Sequence, residues 1–174
     1  MKATNDKHSL PLAIAGLLLC AGAIYAMASP QAKANASVPD AVKITAAGAQ
    51  ASMPGPSDWF TGSVRVDPLW APDDKIAASG AWVTFEPGAR SAWHTHPLGQ
   101  RLVVMSGIGL TQEWGKPIRV LHPGDVVVCP PGVKHWHGAG PTTAMTHLTV
   151  TGTLPDGTNA QWMEKVSDEQ YSAK

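Results

Sequence analysis

Two stretches of the sequence decide the fold: residues 88–107, GARSAWHTHPLGQRLVVMSG, and residues 124–139, GDVVVCPPGVKHWHGA. In both, β-branched and aromatic residues that favour strands are bounded by glycine and proline, which favour turns. Histidines stand two apart in each stretch, first in the sequence HTH and then in HWH. On a β-strand this spacing places both imidazoles of a pair on one face. The two stretches therefore predict β-segments that each present a pair of imidazoles.

The same alternation of strand and turn signals continues on either side of these stretches. Predicted strands include Gly62–Val66, Gly80–Glu86, Arg101–Met105, Ile118–Leu121, Asp125–Cys129 and Ala144–Gly152. Many short strands separated by Gly/Pro turns are typical of β-sandwiches and β-barrels. A short helix is predicted over Asp168–Ala173 with its run-up from Gln161. We therefore predict one all-β domain over residues 58–174, preceded by a linker or extended arm over residues 37–57.

The composition excludes several classes of protein. Lysine plus arginine total 13 and aspartate plus glutamate total 13, so the formal net charge is zero. Because a nucleic-acid binder needs an excess of positive charge, no nucleic-acid partner is expected. The hydrophobic fraction of 44% is sufficient for a core and excludes a disordered chain. A small-molecule substrate is the partner that we expect.

Residues 1–36 have the pattern of a secretory signal peptide and its processing region. Lys2 and Lys7 precede an apolar run over Leu10–Ala28, and small residues follow it. The run approaches the length of a membrane span, so an uncleaved anchor is the alternative. We expect cleavage, a periplasmic or secreted protein, and no stable membrane association afterwards.

The clustered histidines indicate a bound divalent ion. Six of the seven histidines lie between His94 and His147. Two imidazole pairs from separate strands can converge on one ion, and Gln100 follows the first pair after a Pro-Leu-Gly turn. Oxygen and nitrogen ligands without a thiolate suit Mn²⁺, Fe²⁺ or Zn²⁺. Surface histidines on an edge strand are the alternative, and Cys129 is expected in the core rather than at the ion.

Further inward-facing positions are candidates for catalysis and substrate binding. His137 shares a strand face with His135, and His147 shares one with Met145. We predict that His137 or His147 is the catalytic base, since imidazole titrates near neutral pH; a buried structural imidazole is the alternative for His147. The predicted substrate pocket, which ordinary core packing could also explain, is lined by Ala81, Val83, Phe85, Thr149 and Thr151.

Two tryptophans beside the paired histidines predict an apolar outer surface. Trp93 and Trp136 have the opposite strand parity to the neighbouring histidines, so they are expected outside the barrel. An exposed apolar exterior is typical of a subunit interface. The pattern therefore predicts a homodimer or homotetramer.

The motif spacing resembles that of the cupin superfamily. Residues 88–107 match G-x5-H-x-H-x3-E-x6-G and residues 124–135 match G-x5-P-x-G-x2-H in every spacing, with glutamine in place of the glutamate. The resemblance implies a single jelly-roll β-barrel with a divalent ion. The ligands that it implies are His94, His96, Gln100 and His135.

A narrower resemblance extends from about Gln50 to Tyr171. The segments DWFTG, WHTHPLGQ, KHWHGA and PTTAMTH are similar to those of the bacterial cupin-type hydroxynitrile lyases. Those enzymes are manganese-dependent and (R)-selective and share the glutamine ligand. The resemblance therefore implies Mn²⁺ and the cleavage or formation of cyanohydrins.

Two other functions compete with the lyase. A cupin dioxygenase that uses Fe or Mn is one alternative, although the glutamate expected at position 100 is absent. A non-catalytic periplasmic binder of a small molecule or a metal is the other. The neutral ligand set favours the lyase, because it leaves the ion's full +2 charge to act as a Lewis acid.

Overall fold

The computed structural model describes residues 41–173, and from Lys43 onward the chain forms one compact unit. The secretory signal predicted over residues 1–36 lies outside the described residues, so cleavage and location stay predictions. Within the described range, no helix has the length and apolar character needed to cross a membrane.

Thirteen β-strands and one short helix make up the regular structure of residues 41–173. The strands are β1 (Met53–Pro54), β2 (Phe60–Thr61), β3 (Val64–Trp70), β4 (Ala78–Phe85), β5 (Arg90–Ser91), β6 (His94–Thr95), β7 (Gln100–Gly107), β8 (Gly109–Glu113), β9 (Arg119–Leu121), β10 (Val126–Cys129), β11 (His135–Ala139), β12 (Met145–Gly152) and β13 (Gln161–Trp162). The helix α1 covers Asp168–Ser172.

The strands form two antiparallel sheets. One has six strands in the order β1-β3-β4-β12-β7-β10. In the other, β11 pairs with β8 on one side and with β5 and β6 on the other, while β9, β2 and β13 lie further out. Side chains from both sheets, including Phe85, Met145 and Leu121, share one hydrophobic core cluster. The predicted all-β barrel and the short C-terminal helix are both confirmed.

Several strands differ from the sequence prediction, among them β13, which occupies the start of the predicted run-up to the helix. Strand β3 continues to Trp70, although Pro68 lacks a backbone N–H for the ladder. The register with β4 shifts between Pro68 and Trp70, and this irregularity accommodates the proline. Strand β8 was not predicted, because its glycine and its glutamine–glutamate pair have low strand preference. Its five-residue pairing with β11 stabilises it instead.

Strand alternation directs the polar side chains of β12 into the barrel. Met145, His147 and Thr151 are buried, and Thr149 lies on the same face. The opposite face carries Leu148, which is half-buried. This inward row therefore places an imidazole and two hydroxyl groups beside the hydrophobic core.

Trp93 and Trp136 do not form the exposed apolar surface that their parity predicted. They are only 2% and 0% exposed. The C-terminal segment covers them, since Val166 and Tyr171 pack in the same cluster. The chain itself thus occupies the face that was assigned to a partner subunit. The two tryptophans therefore no longer support a homodimer or homotetramer, and the oligomeric state stays a prediction.

Hydrogen bonds fix the C-terminal segment on the barrel. The indole Nε1 of Trp93 donates to Gln170 Oε1 at 3.2 Å. The Tyr171 hydroxyl donates to the Ala139 carbonyl at 2.8 Å. The ring of Tyr171 also lies 4.7 Å from the guanidinium carbon of Arg90. These contacts make the segment part of the domain rather than a free tail.

We expect Val166→Ala to lower the free energy of unfolding by about 2 kcal/mol, because it leaves a cavity under the two tryptophans. Urea denaturation measures this change. Val42→Ala is the matched control, since Val42 is 94% exposed and its truncation should change stability by less than about 0.5 kcal/mol. Equal effects of the two substitutions would contradict the packing role of the C-terminal segment.

Candidate metal centre

Five histidines are buried together inside the barrel. They come from β6, the turn after it, β11 and β12, and they are His94, His96, His135, His137 and His147. Neighbouring ring centroids are 4.3 Å apart for His94 and His135, and 4.9 Å apart for His137 and His147. The histidine pairs that the sequence predicted therefore converge on one place.

Strand pairing brings the two histidine motifs side by side. In the antiparallel pair β6–β11, His135 lies directly opposite His94. His96 follows one residue after the end of β6, and its ring centroid is 5.0 Å from that of His94. The turn after His96 leads into β7, which begins at Gln100. The second sheet and the turn after β6 thus supply the imidazoles of the two motifs, and the first sheet supplies the amide of Gln100 and the imidazole of His147.

Backbone carbonyls hold three of the imidazoles in one tautomer. The Nδ1 atom of His94 lies 2.9 Å from the Ala92 carbonyl, and that of His135 lies 2.9 Å from the Val133 carbonyl. The Nδ1 atom of His96 lies 2.6 Å from the Asn159 carbonyl. A carbonyl only accepts, so each Nδ1 carries the hydrogen and each Nε2 keeps its lone pair. Metal-ligating histidines have this arrangement.

Two of these Nε2 atoms and the amide oxygen of Gln100 have no protein partner within residues 41–173. The Nε2 atoms of His96 and His135 are buried without a hydrogen bond, and so is Oε1 of Gln100. Buried polar atoms are normally paired, so unpaired acceptors gathered at one place fit the binding of a cation. The donor set of imidazole nitrogen and amide oxygen fits a divalent ion such as Mn²⁺, Fe²⁺ or Zn²⁺.

The closest group of ring nitrogens differs in one member from the predicted ligand set. Ligand atoms of His94, His135 and His137 all lie within 4.8 Å of one another. The sequence assigned His96 to the ion and His137 to proton transfer. His96 has the carbonyl-held tautomer of the other ligands, whereas the Nδ1 atom of His137 has no partner among the described residues. The ligand set with His96 stays a prediction.

Burial makes the imidazoles neutral. Desolvation lowers the pKa of His135 and of His147 to about 4. Burial, and then the neighbouring imidazoles, also lower the pKa of His94 and His137 well below the usual value of 6.5. At pH 7 these side chains therefore keep their lone pairs and carry no charge. The predicted ligands, with the amide of Gln100, bring no charge to offset that of a cation.

The two candidate bases lie next to one aromatic ring. The ring centroid of Phe85 is 5.6 Å from that of His137 and 5.7 Å from that of His147. Both nitrogens of His147 are buried and have no hydrogen bond within the described residues. A neutral imidazole has one acceptor nitrogen, and the Leu148 backbone, which raises the pKa of His147, is its nearby polar contact, so the role of His147 as a base stays a prediction.

A groove of about 750 Å³ leads from the surface to His135. It lies between β10 on one side and β8 and β9 on the other, and its walls include Thr111, Leu121, Cys129 and Val133. Burial raises the pKa of the Cys129 thiol to about 11, so this side chain is a protonated wall residue at pH 7.

None of the five residues predicted for the substrate pocket lines this groove. Val83 and Phe85 are buried in the core cluster, and Ala81 packs against it. Thr149 and Thr151 lie on the inward face of β12, and their Oγ1 atoms are 3.1 Å apart. The pocket role of these residues stays a prediction.

Two contributors to the site were missed in the sequence. Asn159 acts through its backbone carbonyl, for which no side-chain pattern exists. Trp162 of β13 lies over His94, with ring centroids 4.7 Å apart, and it stacks on Trp59 at 5.1 Å. Trp162 pairs with His94 across β6–β13. That contact joins residues far apart in the sequence, so only the fold reveals it.

The fold and the buried imidazoles together define a single-domain cupin with a candidate metal site. The family model described as cupin domain matches residues 81–151. A cupin-like protein from Thermotoga maritima is 43% identical with a TM-score of 0.63, covering 70% of this chain and 94% of that one. A cupin 2 conserved barrel protein from Rhodopseudomonas palustris is 23% identical with a TM-score of 0.55, covering 64% and 76% of the two chains, and supports the fold. The chain belongs to the cupin superfamily.

A curated relative narrows the comparison. The chain is 58% identical over 130 residues to (R)-mandelonitrile lyase from Granulicella tundricola. The aligned residues cover 75% of this chain and 98% of the relative. The resemblance to the bacterial hydroxynitrile lyases is therefore confirmed. With the three-histidine group, the relationship supports a cupin enzyme with a metal site.

We expect the free energy of unfolding of the metal-free protein to fall at pH values that are still too high to protonate the imidazoles of the folded protein. An unfolded imidazole has a pKa of 6.5, whereas that of folded His147 is about 4. Between these values the unfolded chain binds more protons, so the free energy of unfolding falls as the pH is lowered through this window. Urea titrations of the metal-free protein across the window measure the slope.

Two substitutions on the same face of β12 test the cause of that slope. His147→Leu should make it shallower, because one depressed imidazole is removed. Met145→Leu is the control, since it is also buried but binds no proton, and it should leave the slope unchanged. An unchanged slope in His147→Leu would show that the burial of His147 is not linked to folding.

Proposed function

We propose that this protein is a metal-dependent hydroxynitrile lyase that cleaves a cyanohydrin into an aldehyde and hydrogen cyanide, and catalyses the reverse addition. The observation that carries the proposal is the 58% identity to (R)-mandelonitrile lyase over 98% of that enzyme. The buried imidazoles and the glutamine at position 100 agree with it. An arylaldehyde cyanohydrin such as mandelonitrile is the proposed substrate class.

The residues proposed to hold the ion are His94, His96, Gln100 and His135. When bound, a divalent ion supplies a Lewis acid for the substrate oxygen, and Mn²⁺ is the proposed ion. The glutamine separates this site from one with a glutamate ligand, because a carboxylate would cancel one unit of positive charge. A higher positive field favours the oxygen anion that forms when the hydroxyl group loses its proton.

His147 or His137 is proposed to move the proton. A neutral imidazole accepts the hydroxyl proton of the cyanohydrin, and the electron pair of that O–H bond forms the carbonyl double bond. The carbon–carbon bond to the nitrile breaks, and its electron pair leaves with cyanide. The imidazolium then returns the proton to cyanide, so the products are the aldehyde and hydrogen cyanide. Burial disfavours the imidazolium of His147. The step therefore needs a negative charge beside the ring, and the departing cyanide ion is proposed to supply it.

The groove above His135 is the proposed route for the substrate. Its volume lies within the range of small-molecule sites, which is about 300–1,000 Å³. Its walls are mixed, with apolar Leu121 and Val133 beside the hydroxyl of Thr111. The predicted pocket face of β4, where Phe85 lies next to both candidate bases, is proposed to contact the aromatic ring of the substrate.

We expect the Mn²⁺-loaded protein to release benzaldehyde and cyanide from mandelonitrile without oxygen. Anaerobic incubation with colorimetric detection of cyanide measures the reaction. His94→Ala should abolish activity, whereas His122→Ala, at an exposed turn, should retain it. Oxygen consumption with no anaerobic product would instead support the dioxygenase. Ion binding with neither reaction would support a non-catalytic binder.

The third imidazole of the metal site can be assigned by comparing two alanine variants. His96→Ala should lower the affinity for Mn²⁺ by more than the roughly 100-fold that loss of an outer-shell partner produces. His137→Ala should bind Mn²⁺ nearly as the wild type does but release cyanide ~100-fold more slowly or worse, as expected for a lost general base. Equilibrium dialysis and the cyanide assay give the two measurements.

The opposite result would assign the ion to the group of closest nitrogens. If His137→Ala loses Mn²⁺ and His96→Ala retains it, His137 is a ligand and the base assignment falls to His147 alone. A parallel His122→Ala variant controls for weak surface binding of Mn²⁺, because its ring lies outside the buried cluster.

A further inference from the structure

The two ends of the Gln100 side chain are not chemically equivalent. The amide oxygen has lone pairs that a cation can use, whereas the amide nitrogen carries two hydrogens and no free lone pair. A glutamate at this position would present an oxygen in either orientation. A glutamine presents its oxygen in only one, so a glutamine ligand requires a partner that selects this orientation.

Thr151 is placed to select the orientation. It lies directly opposite Gln100 in the antiparallel pair β7–β12. The amide Nε2 of Gln100 donates a hydrogen bond to Thr151 Oγ1 at 3.2 Å. Both residues are buried, at 6% and 5% exposed. The amide oxygen Oε1 then has no partner within residues 41–173.

Thr149 lies where it can accept the hydroxyl hydrogen of Thr151. The Oγ1 atoms of the two threonines are 3.1 Å apart. When Thr151 donates its only hydroxyl hydrogen to Thr149, its oxygen can only accept, and the end of Gln100 that faces it must be the N–H. In a reversed amide Thr151 would have to donate to Oε1, and the contact between the two threonines would then need Thr149 as its donor. The observed N–H contact of Gln100 agrees with the order in which Gln100 donates to Thr151 and Thr151 donates to Thr149.

We infer that Thr151 is a positioning residue that holds the Gln100 amide with its oxygen toward the metal centre. This inference rests on the metal site of the proposed function, and it changes the role first assigned to Thr151. The hydroxyl of Thr151 acts on a ligand through a hydrogen bond within the barrel wall, rather than on the substrate. The hydroxyl of Thr149 in turn contacts that of Thr151.

Thr151→Val tests the inference because it keeps the shape of the side chain and removes the hydroxyl. We expect the affinity for Mn²⁺ to fall ~10- to 100-fold, as measured by the free Mn²⁺ signal in electron paramagnetic resonance. Thr151→Ser restores the hydroxyl and should bind close to the wild type. The signal of bound Mn²⁺ should also change in Thr151→Val, since the amide oxygen is no longer held.

Thr146→Val is the matched control. Thr146 lies on the same strand but on the opposite face, and its hydroxyl pairs with that of Thr84 at 3.0 Å. It thus loses the same type of hydroxyl–hydroxyl contact, away from Gln100, and should bind Mn²⁺ with wild-type affinity. An equal loss of affinity in Thr146→Val would show a general effect on the sheet and overturn the inference.

A double-mutant cycle separates positioning from a structural role. If Thr151 acts through Gln100, Thr151→Val should cause no further loss of Mn²⁺ affinity in a Gln100→Leu background. A structural role predicts the same loss in both backgrounds. Circular dichroism and urea denaturation of each metal-free variant confirm that the compared proteins are folded.

The failure of this inference differs from the failure of the proposed function. Wild-type Mn²⁺ affinity in Thr151→Val, together with cyanide release by the wild type, would overturn the positioning role alone. Weakened binding in Thr151→Val without cyanide release by the wild type would overturn the lyase and support the positioning role. A wild type that binds no divalent ion would overturn both.

Discussion

Five imidazole rings lie inside a barrel whose other inward side chains are largely apolar, and there they lose the water that would stabilise their charged form. They stay in the structure as neutral groups. Carbonyl groups from the adjoining loops accept hydrogen bonds from the Nδ1 atoms of His94, His96 and His135. This leaves buried lone pairs that the surrounding protein does not satisfy. The cost of leaving them unpaired is removed when a cation binds, so folding and metal binding favour the same arrangement.

The neutrality of the site also limits its chemistry. Metal sites with carboxylate ligands reduce the charge of the ion before a substrate arrives. In the proposed ligand set, the amide of Gln100 replaces a carboxylate, and the remaining ligands are imidazoles. The resulting excess of positive charge suits a step in which a hydroxyl oxygen loses its proton. The same substitution introduces a requirement that a carboxylate does not have, because an amide must be oriented, and the threonines of β12 lie where that requirement can be met.

Much of the site could be predicted from the sequence because strand alternation is a local rule. It predicted that His94 and His135 would converge, and that Met145, His147 and Thr151 would face inward. It could not predict what lies on the outer face. Trp93 and Trp136 have the correct parity for the exterior, but Val166 and Tyr171 return from the end of the chain to cover them. Likewise, the carbonyl of Asn159 reaches His96 across 63 positions of sequence, and a backbone atom leaves no signature in residue type.

The C-terminal return also connects the outer layer to the metal centre. Trp136 packs under this segment, and the residues on either side of it in β11 are His135 and His137, which point to the interior. Trp162, where the chain begins its return, pairs with His94 and covers its ring. The outer tryptophans and the inner imidazoles therefore share the same short strands. Because a strand cannot shift by one residue without exchanging its two faces, the packing of the tryptophans outside fixes the register that keeps the imidazoles inside.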